Sequence, residues 1–223
     1  MIVLGYDPGG GKKTGKGQSG VACLQTHGNR LEIKTDQRSS VADALSWFIA
    51  VCDQEAPSAI GIDTFLHWGT DAKGWRPVDL ALRRTYPNVA SSVLPSNSTA
   101  GAMAIQGMAL AIEAREVWSA IKLNEAHPKV LFAELTKQTY PRTESEADTA
   151  LRAKFLSDRG YVCAGNMQCE DEFDAAICCF ATFEGIKDEW ADLMEHFATD
   201  VLARSNLVFP VGRVAYYWPR RLD

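Results

Sequence analysis

Five acidic residues stand where carboxylates are costly. Asp7, Asp63 and Glu125 each end a short apolar run of strand type, at residues 2–6, 58–62 and 120–124, and a charge at the end of a buried strand needs a compensating partner. Asp171 and Asp174 lie three apart in a helix-forming segment and so share a face. In open α/β sheets function collects at the carboxyl ends of parallel strands, where the first three of these acids would sit. Several carboxylates in one place repel one another, and multivalent cations are the usual remedy. Two hard cations roughly 3.5–4 Å apart suit in-line phosphodiester displacement: one activates water and the other stabilises the leaving oxygen.

Each acid also has a structural reading. Asp7-Pro8-Gly9 is ordinary turn chemistry, Asp63 would cap the following loop, and Glu125 would pair with a lysine. Asp171, between Glu170 and Glu172, would favour the positive end of a helix dipole. Taken together, these readings require three strand ends and one helix to carry acids by coincidence. Gly10 to Lys16 also spells the phosphate-loop pattern G-x-x-x-x-G-K, but Gly17 occupies the Ser/Thr position and the following segment reads as a strand, which excludes a phosphate loop.

The elements that must position the acids follow from the hydrophobic pattern. Residues 2–6, 19–25 and 31–35 read as a three-stranded antiparallel meander with Gly28-Asn29 at its second turn. Ser40-x-x-Asp43 opens an amphipathic helix that ends before Pro57. Residues 64–98 read as a long functional loop broken by a short helix at 78–84, with 67–96 bordering the acids. Helices are expected at 99–119, 144–157, 169–183 and 188–203, a strand at 120–125 closed by His127-Pro128, and a terminal hairpin within 207–218.

With 223 residues, 46% of them hydrophobic, the chain is long enough for one sizeable α/β core. No apolar run approaches the roughly 18 residues of a membrane span, and no basic-then-apolar leader opens the chain, so a cytoplasmic protein without a membrane partner is expected. The six cysteines lack C-x-x-C spacing and read as reduced, mostly buried thiols. A formal charge of −5 excludes non-specific coating of nucleic acid but permits a local basic groove.

The order of these motifs resembles the ribonuclease H-like superfamily, and Asp171-Glu-Phe-Asp174-Ala-Ala looks like the late helix of its RuvC-type branch. A closer resemblance is to the predicted-nuclease family called domain of unknown function 429. It is carried by Gly5-Tyr-Asp7, by Ile62-Asp63 with a loop bearing Arg76 and Asp79 to Arg83, by Glu125-x-His127-Pro128, by Arg152-x-x-Phe155-Leu156 and by Asp171-x-x-Asp174-Ala175. The resemblance implies one α/β ribonuclease H-like domain over 1–223, with a core to about 185 and helix and strand additions over 186–223. Its mixed five-stranded sheet would combine the meander with two parallel strands, flanked by helices.

It further implies a metal-dependent nuclease acting on DNA or RNA with Mg2+ or Mn2+. Asp7 would bridge the metals, Asp63 and Asp174 would each complete one site, Asp171 would hold an outer or second-metal position, and Glu125 would be their neighbour. Lys12, Lys13, Lys16 and Arg83 would bind the substrate. A homodimer is an allowed assembly. Two departures stand out: the lysine-rich loop 11–16 is longer than a hairpin tip, and the fourth-strand acid is Asp where RuvC-type enzymes usually carry Glu. The alternatives are an actin-like phosphotransferase and a non-catalytic nucleic-acid- or partner-binding module, in which Trp68, Trp75 and Tyr86 would stack or dock.

Overall fold

The structure is a computed structural model describing residues 1–9, 18–70, 72–98, 101–165, 167, 169–187, 190–197 and 206–222. Strands β1 (Ile2–Asp7), β2 (Ser19–His27) and β3 (Arg30–Arg38) form the expected antiparallel meander. Helix α1 (Val41–Cys52) follows, with the Ser40 hydroxyl accepting from the Asp43 N–H at 3.1 Å, the N-cap contact read from the Ser-x-x-Asp spacing. Strands β4 (Ala59–Ile62) and β6 (Lys122–Glu125) then run parallel to β1.

The sheet has six strands, in the order β6-β4-β1-β2-β3-β7, where five were expected. The sixth, β7 (Tyr161–Cys163), pairs in parallel with β3 at the far edge. Three residues are too short to show the alternation that betrays a strand.

Between β4 and β6 the expected loop holds structure of its own: the two-residue β5 (Trp68–Gly69), helix α2 (Pro77–Thr85) and a 3-10 turn at Pro87–Ser92. Helix α3 (Gly101–Val117) follows, as the Ala- and Met-rich stretch predicts. His127-Pro128 ends β6 and also starts a helix that the sequence reading lacks, α4 (Pro128–Thr136), because Pro is as much at home in a first helical turn as after a strand. Helices α5 (Glu146–Ser157) and α6 (Glu170–Ile186) match expectation.

The terminal hairpin does not form. Instead β9 (Leu207–Val208) pairs with β5, and β10 (Tyr217–Trp218) pairs with β8 (Ala191–Asp192). The described part of the expected helix at 188–203 is β8 followed by the short α7 (Leu193–Phe197); residues 188–189 and 198–203 lie outside the described residues.

Strand parity decides what each face of the sheet carries. Leu4 and Tyr6 of β1 pack with Phe48 of α1 and Leu110 of α3, whereas Val3 packs with Ala175, Ala176 and Cys179 of α6. At three positions on that second face the helix comes so close that only glycine fits. A Cβ on Gly5 would lie 2.0 Å from the Ala175 carbonyl oxygen, one on Gly20 would lie 1.9 Å from that of Asp171, and one on Gly61 would lie 2.4 Å from that of Cys178. Gly5 and Asp7 share the α6 face of β1, so this contact brings the strand end and the acidic first turns of α6 together.

Candidate active site

Asp7 is 3% exposed and Asp174 is 1% exposed, so both carboxyl groups have left water. The parallel register pairs Tyr6 with Ile62, which sets Asp63 beside Asp7, and the Asp63 N–H donates to the Tyr6 carbonyl at 2.9 Å. Loss of hydration raises the Asp7 pKa well above the usual carboxylate range, and the charges of Asp174, Asp63 and Asp171 raise it further. Desolvation and then Asp174 push Asp63 up to about 8. Asp174 is pushed up to about 6 by burial, with Lys129 pulling against the rise. The four aspartates singled out by position are therefore electrostatic neighbours.

The turn reading of Asp7 also holds, because its Oδ1 accepts from the Gly9 N–H at 3.4 Å and Gly9 has φ +53°. One residue serves the turn and the cluster.

Glu125 adds to the rise at Asp63 but is itself held by a cation of its own. Its register partner is Ile62, one residue short of Asp63, and Ile62 faces the α1–α3 side. At this strand end Arg76, fully buried, holds Glu125 at 2.5 Å and Asp79 at 2.7 Å, while the Leu66 N–H donates to Glu125 at 2.8 Å. His67 adds a contact at 3.6 Å. Burial would raise the Glu125 pKa, but Arg76 and His67 overcome it and hold the carboxyl down at about 2. Arg83 is likewise engaged elsewhere: its guanidinium donates to the carbonyls of Ala90 and Val93 at 2.6 and 2.8 Å and lies 4.9 Å from the Trp75 ring. It braces the 3-10 turn. Lys12, Lys13 and Lys16 lie outside the described residues.

Three residues that the sequence reading passed over belong to this site. Lys129, in the first turn of α4, bridges Glu170 at 3.0 Å and Asp174 at 3.4 Å, and its own pKa is raised by Asp174, Asp63 and Glu170. The Tyr140 hydroxyl donates to Asp174 Oδ1. Arg142 follows on a segment held by the buried Arg152, which donates to the carbonyls of Pro141 and Thr143. The signal for Lys129 was its place just past a parallel strand end, where βα junctions carry function.

A cleft of about 320 Å³ opens beside the acids, lined by Asp63, Thr64 and Phe65 after β4, by Ser91, Ser92 and Leu94, by Met103, and by His127 to Lys129 with Arg142. The segment 64–98 thus borders the site, as its length predicts.

Among the described residues no group of three or more His, Cys, Asp and Glu side chains is arranged to hold a metal ion. Lys129 supplies the positive charge next to Asp174. The donor chemistry still fits a hard cation: every candidate ligand is a carboxylate oxygen.

The family described as "Protein of unknown function (DUF429)" matches residues 5–185, most of the chain. The chain belongs to this family. No curated protein and no solved structure matches it. The DUF429 match spans β1 to α6, so all four aspartates, Lys129, Tyr140 and the whole cleft lie within the family's common extent. The additions β8 to β10 lie beyond it. No described helix is long and apolar enough to cross a membrane.

Proposed function

We propose that this DUF429 chain is a metal-dependent nuclease of ribonuclease H-like fold, hydrolysing phosphodiester bonds at Asp7, Asp63, Asp171 and Asp174. The observation that carries this reading is the convergence of buried aspartates from β1, the end of β4 and α6 beside an open cleft, where burial and then the charges of Asp174, Asp63 and Asp171 raise the Asp7 pKa. Like charges gathered at that cost are what a cation-dependent site requires and what a purely structural core avoids. The sheet order, with the meander extended by β4 and β6, supports the fold assignment. Mg2+ or Mn2+ held by these four carboxylates would supply an activated water and charge for the leaving oxygen. Lys129 steadies Asp174 and, with Arg142, presents positive charge to a phosphate entering the cleft. Glu125 acts through Arg76, holding the loop after β4.

The test compares wild type with Asp7→Asn for cleavage of single- and double-stranded DNA and RNA, with and without manganese. Manganese-dependent cleavage is expected in wild type, with a loss of about a hundredfold or more in the variant, as for other removed charge-stabilising groups. Manganese is expected to raise the thermal midpoint of wild type much more than that of Asp7→Asn. Equal metal-induced shifts with activity intact in the variant would remove Asp7 from the site and end this reading.

A further inference from the structure

The cleft beside the acids is too small and too mixed in character to take a length of duplex. Its volume of about 320 Å³ lies at the lower end of the range for small-molecule sites, about 300–1,000 Å³. One wall is apolar, made of Phe65, Leu94 and Met103. Phe65 is held from behind by the Arg76 guanidinium 5.0 Å from its ring, and the wall is tied together by the Thr64 hydroxyl donating to the Met103 carbonyl at 3.2 Å.

Next to Phe65, whose ring meets that of His127 edge to face with centroids 6.1 Å apart, the lining is suited to an anion. Helix α4 begins there with His127 as its N-cap residue, yet the imidazole makes no capping hydrogen bond. The first N–H groups of a helix have no intrahelical acceptor and attract phosphate; with Pro128 at the first position and Leu131 bonded to the His127 carbonyl, those of Lys129 and Val130 remain here. His127 is 8% exposed, lines the cleft and has its Nδ1 without a hydrogen-bond partner. Arg142, an exposed side chain at the rim, adds a cation.

We propose that this cleft binds one unpaired nucleotide, its base against Phe65, Leu94 and Met103, and its phosphate between the start of α4 and Arg142, with the His127 imidazole as a polar contact. The inference deepens the nuclease reading and rests on it for the fate of the bound phosphate. It names the substrate as a single strand, an end or an unstacked base, because a base held in a stack cannot reach such a wall.

The experiment titrates wild type, Leu94→Glu and Arg142→Gln with adenosine 5′-monophosphate and thymidine 5′-monophosphate, read by calorimetry. It then compares manganese-dependent cleavage of a short oligonucleotide as single strand and as duplex. Both changes are at exposed positions, and a thermal scan of each variant checks its fold. Both nucleotides are expected to bind wild type, with a loss of about tenfold in each variant, the size of one removed contact. Single strand is expected to be cut faster than duplex, with that preference falling in Leu94→Glu.

Absence of nucleotide binding, or binding indifferent to Leu94→Glu, would overturn the cleft assignment. Duplex cut as fast as single strand would do the same while leaving the nuclease reading intact. Nucleotide binding that weakens in both variants, without cleavage of any nucleic acid, would support the cleft and overturn the nuclease reading.

Discussion

The Arg76–Asp79–Glu125 network and the Asp7–Asp63–Asp174 cluster lie at the same end of the sheet and treat charge in opposite ways. Around Arg76 each buried carboxylate meets a cation within 3 Å, and Glu125 stays ionised with its pKa down at about 2. Around Asp7 the neighbours are chiefly like charges, and the pKa values of all three acids rise. Glu125 and Asp63 are one register step apart on adjacent strands, so the difference teaches that position at a strand end does not fix an acid's charge state. What decides is whether the fold brings an arginine to it.

The largest effect expected from this contrast is in the network. Arg76→Met would leave two fully buried carboxylates without their cation and is expected to cost about 3–5 kcal/mol in urea unfolding. A cost below about 1 kcal/mol would mean that the two regions do not differ in how they hold charge.

A middle-sized effect separates them by pH. Asp63 has its folded-state pKa raised to about 8, so its contribution to stability is complete below about pH 4 and is lost as pH rises through 8. Glu125, depressed to about 2, contributes stability present above about pH 4.5 and lost as pH falls towards 2. Asp63→Asn is therefore expected to gain progressively on wild type between about pH 4 and 8.5, while Glu125→Gln falls behind wild type between about pH 2 and 4.5 and stays behind by a constant amount above that. Denaturation curves at several pH values check both signs, and a flat difference for Asp63→Asn would place that acid outside the cluster.

The smallest effect tests how finely the cluster is tuned. Tyr140→Phe removes a donor to Asp174 and is expected to cost about 1 kcal/mol. The Asp174 pKa is expected to move up from about 6, read by carboxyl carbon chemical shifts. An unmoved titration would show that Lys129 alone sets that acid.

Much of this contrast was legible in the residues, but not its outcome. Runs ending in Asp7 and Asp63 announce strand ends, and Asp171 with Asp174 announces a helix face, because parity and helical spacing are local properties. Glu125 looked equivalent, since the register that places it beside Ile62 arises from pairing between strands about sixty residues apart and leaves no local mark. Arg76 and Asp79 were visible as motif residues, without a sign of which acid they would reach. Helix α4, and Lys129 with it, was hidden because a Pro after a strand reads as a stop when it is also the first residue of a nine-residue helix.

The close seating of α6 on the sheet has a further consequence. At Gly5, Gly20 and Gly61 the strands carry no side chain and the helix backbone comes within reach of where a Cβ would stand, with the Thr182 hydroxyl and Cys179 thiol the side-chain groups beside Gly61 and Gly5. The spacing of the aspartates is thereby tied to peptide geometry, and repacking among the α1 and α3 side chains on the other face has little leverage on it. The cluster is not expected to loosen by degrees: it persists while α6 is seated and disappears when the helix lifts, so the aspartates part company only when the sheet and α6 come apart.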